Sequence, residues 1–318
     1  MVSDLIEKGY PVKLITRVGE RGLSSAVIRG FKEAKGDFLA CMDADLSHPP
    51  EAIPRLLAPL LRESKVDMVL GSRYVPGAGT DEDWGVIRWL NSKIATVMAK
   101  PFTKVKDPMS GFFALPRKVY EKRASLNPIG YKIGLEIMVK CHCKNVVEVP
   151  IHFSNRRLGA SKLNFREQVN YLKHLKRLAD FKYGEFSRFF QFALVGATGL
   201  VVDISTFAVL LKLMPLMGAR GLAIWMAMTW NFWANRRLTF SYDRQGRLIE
   251  QYLRFVVSCG LGAVCSWSVS VILATRLTWF VGHPILAAII GILAGTVGNF
   301  LLSRHWVFRD VSRVPKGS

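Results

Sequence analysis

Two stretches of the chain, Phe255–Thr275 and Pro284–Ser303, contain no Asp, Glu, Lys or Arg, and each is long enough to cross a bilayer as a helix. Lipid offers the backbone no hydrogen bonds, so segments of this kind are confined to helices or closed barrels. Phe189–Leu211 is equally apolar except for Asp203, and Leu216–Ala234 is interrupted near its start by Arg220. Four helical spans are expected. Up to about residue 185 the composition is instead that of a soluble, mixed α/β protein, so the 318 residues divide into unlike regions.

Orientation follows from the basic residues. Lys173, Lys176, Arg177, Lys182 and Arg188 precede the first span. Arg236, Arg237, Arg244, Arg247 and Arg254 lie between the second and third, and Arg304, Arg309, Arg313 and Lys316 follow the fourth. The opposite loops carry only Lys212, Arg220, Arg276 and His283. Positive residues stay inside, which puts both termini and the whole N-terminal region in the cytoplasm. No cleavable signal peptide is visible. The net charge of +20 therefore requires no nucleic acid, because anionic lipid head groups and a phosphate-handling site account for it.

The membrane region repeats itself. Arg188-Phe189 recurs as Arg254-Phe255 and Gly196-Ala197 as Gly262-Ala263, at an offset of 66; Asn231-Phe232, Arg236 and Phe240 recur as Asn299-Phe300, Arg304 and Phe308, at an offset of 68. Two helical hairpins of one design are expected, and the pattern resembles the four-span GtrA-like membrane domains. At the first offset Asp203 corresponds to Val269. An intramembrane carboxylate suggests function; pairing with a neighbouring Arg is the structural alternative. Ahead of the spans, Val169, Leu172, Leu175, Leu178, Ala179 and Phe181 recur near helical spacing. That pattern predicts an amphipathic helix lying on the membrane surface, a packed core helix being the other reading.

In the soluble region the run Phe38–Met42 reads as a buried strand that ends in Asp43-Ala44-Asp45, and Pro49-Pro50 then force the chain out of it. Ligands of open α/β sheets bind outside the carboxyl ends of strands. Two carboxylates there suit a hard divalent cation holding substrate phosphates. Val12–Thr16 and Asp67–Leu70 read as further strands, Leu23–Lys35 as a helix and Val146–Phe153 as a last strand. The alternation argues for a mostly parallel sheet. Cys141-His142-Cys143 looks like a metal cluster, but no further ligands stand at zinc spacing, so free thiols are expected.

With these blocks stand RGLSSAVIRGF at Arg21–Phe31, DADLSHPPE at Asp43–Glu51, GSRY at Gly71–Tyr74, SGFFALPR at Ser110–Arg117, GYKIGLE at Gly130–Glu136 and RRLGASKL at Arg156–Leu163. Together they resemble the family 2 glycosyltransferases of GT-A fold, within them the dolichol-phosphate mannose synthases and their polyprenol-phosphate relatives. The resemblance implies an α/β, Rossmann-like GT-A domain over residues 1–165, an interfacial helix or linker over 166–187, a GtrA-like all-α membrane domain over 188–310 and a tail over 311–318.

By that resemblance Asp43 and Asp45 hold Mg²⁺ or Mn²⁺, with Ser47 a further ligand where the family often has Gln. Asp43, Arg21 and Gly22 contact the donor. Asp45, Arg73 and Arg117 serve catalysis, the two arginines neutralising phosphates; a plain surface charge is the alternative for each. Arg156, Ser161, Lys162 and Ser110 seat the acceptor phosphate. The implied reaction moves a sugar, mannose from GDP-mannose, onto a polyprenyl or dolichyl phosphate with inversion. UDP-glucose is an alternative donor. A second reading is a non-catalytic membrane protein, a translocator of lipid-linked sugar or a scaffold, with a degenerate transferase domain. A lipid phosphate is already anionic, so the site needs a metal and cations more than a strong base. Compared with the family, the chain lacks its first two βα units: Met1–Tyr10 reads as a helix end, and weak nucleotide-sugar binding is expected.

Overall fold

A computed structural model of the chain describes residues 2–19, 22–81, 86–130, 132–154, 165–241 and 247–308. The chain forms two compact units, Met1–Lys182 and Tyr183–Ser318. The first contains helices α1 (Val2–Glu7) and α2 (Leu23–Glu33), strand β1 (Phe38–Cys41), helix α3 (Ile53–Arg62), strands β2 (Met68–Ser72) and β3 (Gly79–Thr80), and helix α4 (Val86–Ala99). Strand β4 (Phe113–Pro116), helices α5 (Arg117–Glu121) and α6 (Ile133–Lys140), strands β5 (Val146–Pro150) and β6 (His152–Phe153), and helix α7 (Phe165–Tyr183) complete it.

The main sheet has the order β1-β4-β2-β5, and β3 pairs with β6 apart from it. Only β2 and β5 are parallel in the main sheet; β4 runs antiparallel to both its neighbours, Cys41 facing Phe113 and Leu70 facing Phe113 from the other side. The sheet is thus mixed rather than mostly parallel. The chain enters β4 at the edge where β1 and β2 end, so β4 must run back between them. Alternation along the strands splits the core. Met68, Leu70, Phe113 and Leu115 meet Phe31, Ile137 and Met138 on one face, while Val69 and Ala114 meet Leu56 and Leu60 on the other. Each of the larger side chains contributes roughly 1.5–3 kcal/mol when fully buried.

Two further expectations fail in this unit. Residues 12–16 form no strand, and Val12 and Leu14 stay exposed; the register of β1 pairs it with β4 alone among the described residues. Helix α7 forms as expected, but its apolar stripe faces protein. Leu175 and Leu178 are buried with Ala99, Met109, Leu135 and Val139, so the helix belongs to the first unit rather than to a separate linker at 166–187. Leu172 and Phe181 remain outside that contact.

The second unit holds α8 (Glu185–Leu210), α9 (Leu216–Ala234), α10 (Leu248–Arg276), the short α11 (Thr278–Val281) and α12 (Pro284–Leu302). Among the described residues, α8 and α10 are long and apolar enough to cross a membrane. Helices α9 and α12 each run directly into a π-helical turn, Asn235–Thr239 and Ser303–Val307. The turns close alike, Phe240 N–H donating to Asn235 O at 2.8 Å and Phe308 N–H to Ser303 O at 2.9 Å.

A pseudo-twofold axis relates the hairpins. Phe232 lies 5.6 Å from Phe255 and 5.1 Å from Tyr252; Phe300 lies 5.6 Å from Phe192 and 5.3 Å from Phe189. Phe240 and Phe308 stack on each other at 4.7 Å. Asn231 abuts Gly199, and Asn299 abuts Gly262. These contacts confirm the offset of 68 for the second helix of each hairpin but correct that of the first helices. Phe192 is equivalent to Phe255 and Gly199 to Gly262, a shift of 63 residues rather than 66. The counterpart of Asp203 is therefore Ser266 and not Val269. The Asp203 Oδ2 atom accepts a 2.8 Å hydrogen bond from Arg220 Nη1, and the guanidinium stands 5.3 Å over the Phe207 ring. The ion pair foreseen as the structural alternative is the one that forms.

Candidate active site

One edge of the main sheet gathers the carboxyl ends of β1, β2 and β5 and the amino end of β4. After β1 the chain turns sharply, and Leu46 adopts φ +60°, a left-handed conformation uncommon for a non-glycine residue. Such strain persists only where its surroundings enforce it. Here Ser47 N–H donates to Asp45 Oδ1 at 3.1 Å, and Ser47 O accepts from Ser154 N–H at 3.1 Å, tying the turn to the segment after β6. Asp43 N–H donates to His48 Nδ1 at 3.2 Å. The His48 ring is sandwiched between Phe112, stacked at 5.2 Å, and the edge of Phe153. Burial, opposed by Asp43, pulls its pKa below the ordinary histidine value. His48 is thus a neutral prop under the Asp pair.

Asp43 is half-buried and faces an opening left by Gly111, where a Cβ would stand 3.6 Å from Asp43 Oδ2 and 3.7 Å from Oδ1. Ser47 Oγ is buried and has no hydrogen-bond partner. Two carboxylates, a buried orphaned hydroxyl oxygen and that opening form a hard-oxygen set of the kind Mg²⁺ takes alongside substrate phosphate and water. The residues present therefore fit the expected Mg²⁺ or Mn²⁺. Cys141 and Cys143 are free cysteines, and among the described residues no group of three or more His, Cys, Asp or Glu side chains is placed to hold a metal. Burial pushes the Cys141 thiol up to about 11 and the Cys143 thiol up as well, which keeps both protonated.

Arg73 reaches the same edge, but not as an uncommitted positive charge. Its guanidinium makes a two-pronged pair with Asp107, which is fully buried, and stands 5.4 Å from the Phe153 ring. Burial alone would lower the Arg73 pKa, and the Asp107 hydrogen bonds and charge outweigh it and raise it. Ser110, expected at the acceptor phosphate, is buried and spends its hydroxyl proton on Gly71 O at 2.6 Å while accepting from Phe112 N–H at 3.2 Å. Its role here is to join the end of β2 to the start of β4.

Arg117 belongs elsewhere. Because β4 is antiparallel to β1, with Phe38 facing Pro116, Arg117 emerges at the opposite edge of the sheet from Asp43. There its Nη2 and Nε donate to Ala34 O and Gly36 O at 2.6 and 2.8 Å, closing the carboxyl end of α2. The expected phosphate contact is corrected to a helix-end contact. Gly22, at φ +121°, is the residue before α2, and its carbonyl accepts from Ser25 Oγ at 3.0 Å and Arg17 Nη2 at 3.1 Å. Arg21, Arg156, Ser161 and Lys162 lie outside the described residues.

Two residues of this edge escape a reading of the sequence, Asp107 and Lys132. Asp107 precedes a proline and looks like a turn residue; only the fold reveals that it is buried against Arg73. Lys132, just before α6, is half-buried near Asp43, Asp107 and Arg73. Crowding by protein atoms and then the Arg73 charge depress its ammonium to about 8, against the opposing pull of Asp107 and Asp43. Its place inside the GYKIGLE block is the signal that could have singled it out.

Residues 1–124 match the family model "Glycosyl transferase family 2", and residues 191–312 match "GtrA/DPMS, transmembrane domain". Fold and site together define a glycosyltransferase of family 2 that carries a membrane domain. The chain is 40% identical over 302 residues to a dolichol-phosphate mannosyltransferase of Pyrococcus furiosus, a match covering 93% of this chain and 83% of that one. A Saccharomyces cerevisiae dolichol-phosphate mannosyltransferase is 45% identical over 190 residues, 58% of this chain and 70% of its own. A solved glucosyl-3-phosphoglycerate synthase of Mycobacterium tuberculosis shares 18% identity at TM-score 0.35, over 51% of this chain and 56% of its own, too loose a likeness to carry residue roles. The chain belongs to the dolichol-phosphate mannosyltransferase family and is a membrane protein.

Proposed function

We propose that this protein transfers mannose from GDP-mannose to the phosphate of a dolichyl-type polyprenol, at the cytoplasmic face of a membrane that α8, α9, α10 and α12 all cross. The observation that carries this is the 40% identity running through both the catalytic unit and the membrane domain of the Pyrococcus furiosus relative. The placement of basic residues on one side of the spans supports the cytoplasmic orientation.

Asp43, Asp45 and Ser47 would hold Mg²⁺ or Mn²⁺, which when bound offsets the charge of the departing nucleotide diphosphate. The strained turn at Leu46 and the neutral His48 fix the direction of the two carboxylates. Fixed charges placed where charge develops cost no reorganisation during reaction. The lipid phosphate is itself the nucleophile, so no side chain has to remove a proton from it. A single displacement at the anomeric carbon inverts it and gives a β-linked product.

The test uses membranes containing the chain, Mg²⁺ or Mn²⁺, a polyprenyl phosphate, and radiolabelled GDP-mannose beside UDP-glucose. Label from GDP-mannose should enter the organic phase, and Asp45→Ala should abolish the transfer. Label from UDP-glucose alone would replace the donor, and transfer that survives in Asp45→Ala would remove the site.

A further inference from the structure

We propose that Phe153 is a positioning residue of the transfer reaction, setting the distance between Arg73 and the Asp43–Ser47 turn. The inference rests on the glycosyltransferase reading and adds a residue to it. Its first support is the path of the backbone. Past the end of β5, Ile151 N–H donates to Ser72 O at 3.1 Å, one residue before Arg73. The chain then leaves the main sheet, and β6 pairs with β3, Gly79 facing His152 and Thr80 facing Phe153. Ser154 N–H, next in line, donates to Ser47 O at 3.1 Å. His152 and Phe153 thus span the gap between the loop that carries Arg73 and the turn that carries the candidate metal ligands. Alternation along β6 sends their side chains to opposite sides. His152 is exposed and hydrogen-bonded to Asp81 at 2.8 Å, and Phe153 is buried.

The second support is what the ring touches. Its centroid lies 5.2 Å from that of His48, edge-on at 70°, and 5.4 Å from the Arg73 guanidinium carbon. At such distances an aromatic ring attracts both a partner ring and a cation. His48 accepts the Asp43 N–H, and Arg73 is paired with Asp107, so one side chain bears on both halves of the edge. Metal ligands on one side and a guanidinium on the other can grip one diphosphate only at a fixed separation. An aliphatic side chain in place of the ring would fill the space without its charge distribution or its flat reach to both partners.

Two readouts on the purified full-length chain test this: Mn²⁺ affinity in the presence of GDP, by electron paramagnetic resonance, and kcat for mannose transfer from GDP-mannose to a polyprenyl phosphate. The variants are Phe153→Leu, Phe153→Met and Phe153→Tyr. Phe31→Leu, which removes a ring from the core where it meets Phe113 and Tyr120, is the control. Phe153→Leu and Phe153→Met should weaken Mn²⁺ binding and lower kcat, each by about tenfold or more, since a misplacement of about 1 Å can cost about a hundredfold. Phe153→Tyr keeps the ring and should keep both values near wild type. Phe31→Leu should lower the unfolding midpoint and move neither value, the pattern a merely structural role would produce at Phe153. Unchanged Mn²⁺ affinity and kcat in a folded Phe153→Leu or Phe153→Met variant overturns the role of Phe153 while leaving the transferase reading intact. A Phe153→Tyr variant as impaired as Phe153→Leu overturns it as well. A wild-type chain that neither binds Mn²⁺ nor transfers mannose overturns both.

Discussion

Arg73 and Asp107 are joined by two parallel hydrogen bonds, Nε to Oδ2 at 2.7 Å and Nη2 to Oδ1 at 2.8 Å, and Asp107 Oδ2 also accepts the Arg73 backbone N–H at 3.0 Å. Asp107 is in turn steadied through its own N–H, which donates to Glu148 Oε1 at 3.0 Å. The pair thus ties the end of β2 and the middle of β5 to the loop before β4. Removing one member leaves the other charge buried. Asp107→Asn should destabilise the protein by about 3 kcal/mol. Thermal unfolding of single and double variants in a mutant cycle checks this, and a coupling near zero would show the pair to be idle.

Arg117 and Asp45 should separate cleanly. Arg117→Ala loses two contacts to the end of α2, so stability should fall by about 1 kcal/mol, with sugar transfer retained. Asp45→Ala should lower transfer by at least about a hundredfold, the scale of losing one preorganised electrostatic group, with the fold intact by circular dichroism. A dead Arg117→Ala enzyme with normal stability would contradict the placement of that residue.

His174 gives a pH dependence. It is buried on α7 with Nδ1 3.7 Å from Glu136 Oε2, and burial lowers its pKa despite Glu136, aided by Lys140 and Arg177. The unfolded chain therefore takes up a proton more readily than the folded one. The stability tied to neutral His174 is complete above pH 6.5, its ordinary value, and declines as pH falls below that. Unfolding midpoints measured between pH 7.5 and 5.5 should drop more steeply for wild type than for His174→Gln. Equal slopes would exclude His174 as the source.

The helical register of the membrane unit can be tested with two neighbouring glycines. A Cβ on Gly199 would stand 2.2 Å from Asn231 Oδ1, whereas one on Gly196 meets nothing within 4 Å. Gly199→Ala should lower the unfolding temperature in detergent by several degrees, and Gly196→Ala should leave it unchanged. The reverse result would restore the 66-residue offset.

Much of this was legible in the sequence because it depends on local pattern. The strand before Asp43, the helix at 23–33, the strand at 68–72 and the apolar helices all follow from periodicity and punctuation. What depends on distant partners was not. Arg73 and Arg117 look alike as cations near small residues, and the antiparallel path of β4 alone sends them to opposite edges. The stripe on α7 predicts burial but not whether lipid or protein provides it. In the membrane unit, recurring Phe and Gly residues point to an offset of 66 for the first helices, and only packing against Asn231 and Asn299 reveals it to be 63.

Phe240 and Phe308, stacked at 4.7 Å, are the same position of the two repeats and meet each other across the pseudo-twofold axis. Each hairpin consequently presents to its neighbour the surface it would present to a second copy of itself, and the membrane unit is in effect a homodimer written on one polypeptide. Tethering frees the two halves to diverge away from the axis. Only one half acquired the Asp203–Arg220 pair, a departure from symmetry that an untethered dimer would have had to make twice.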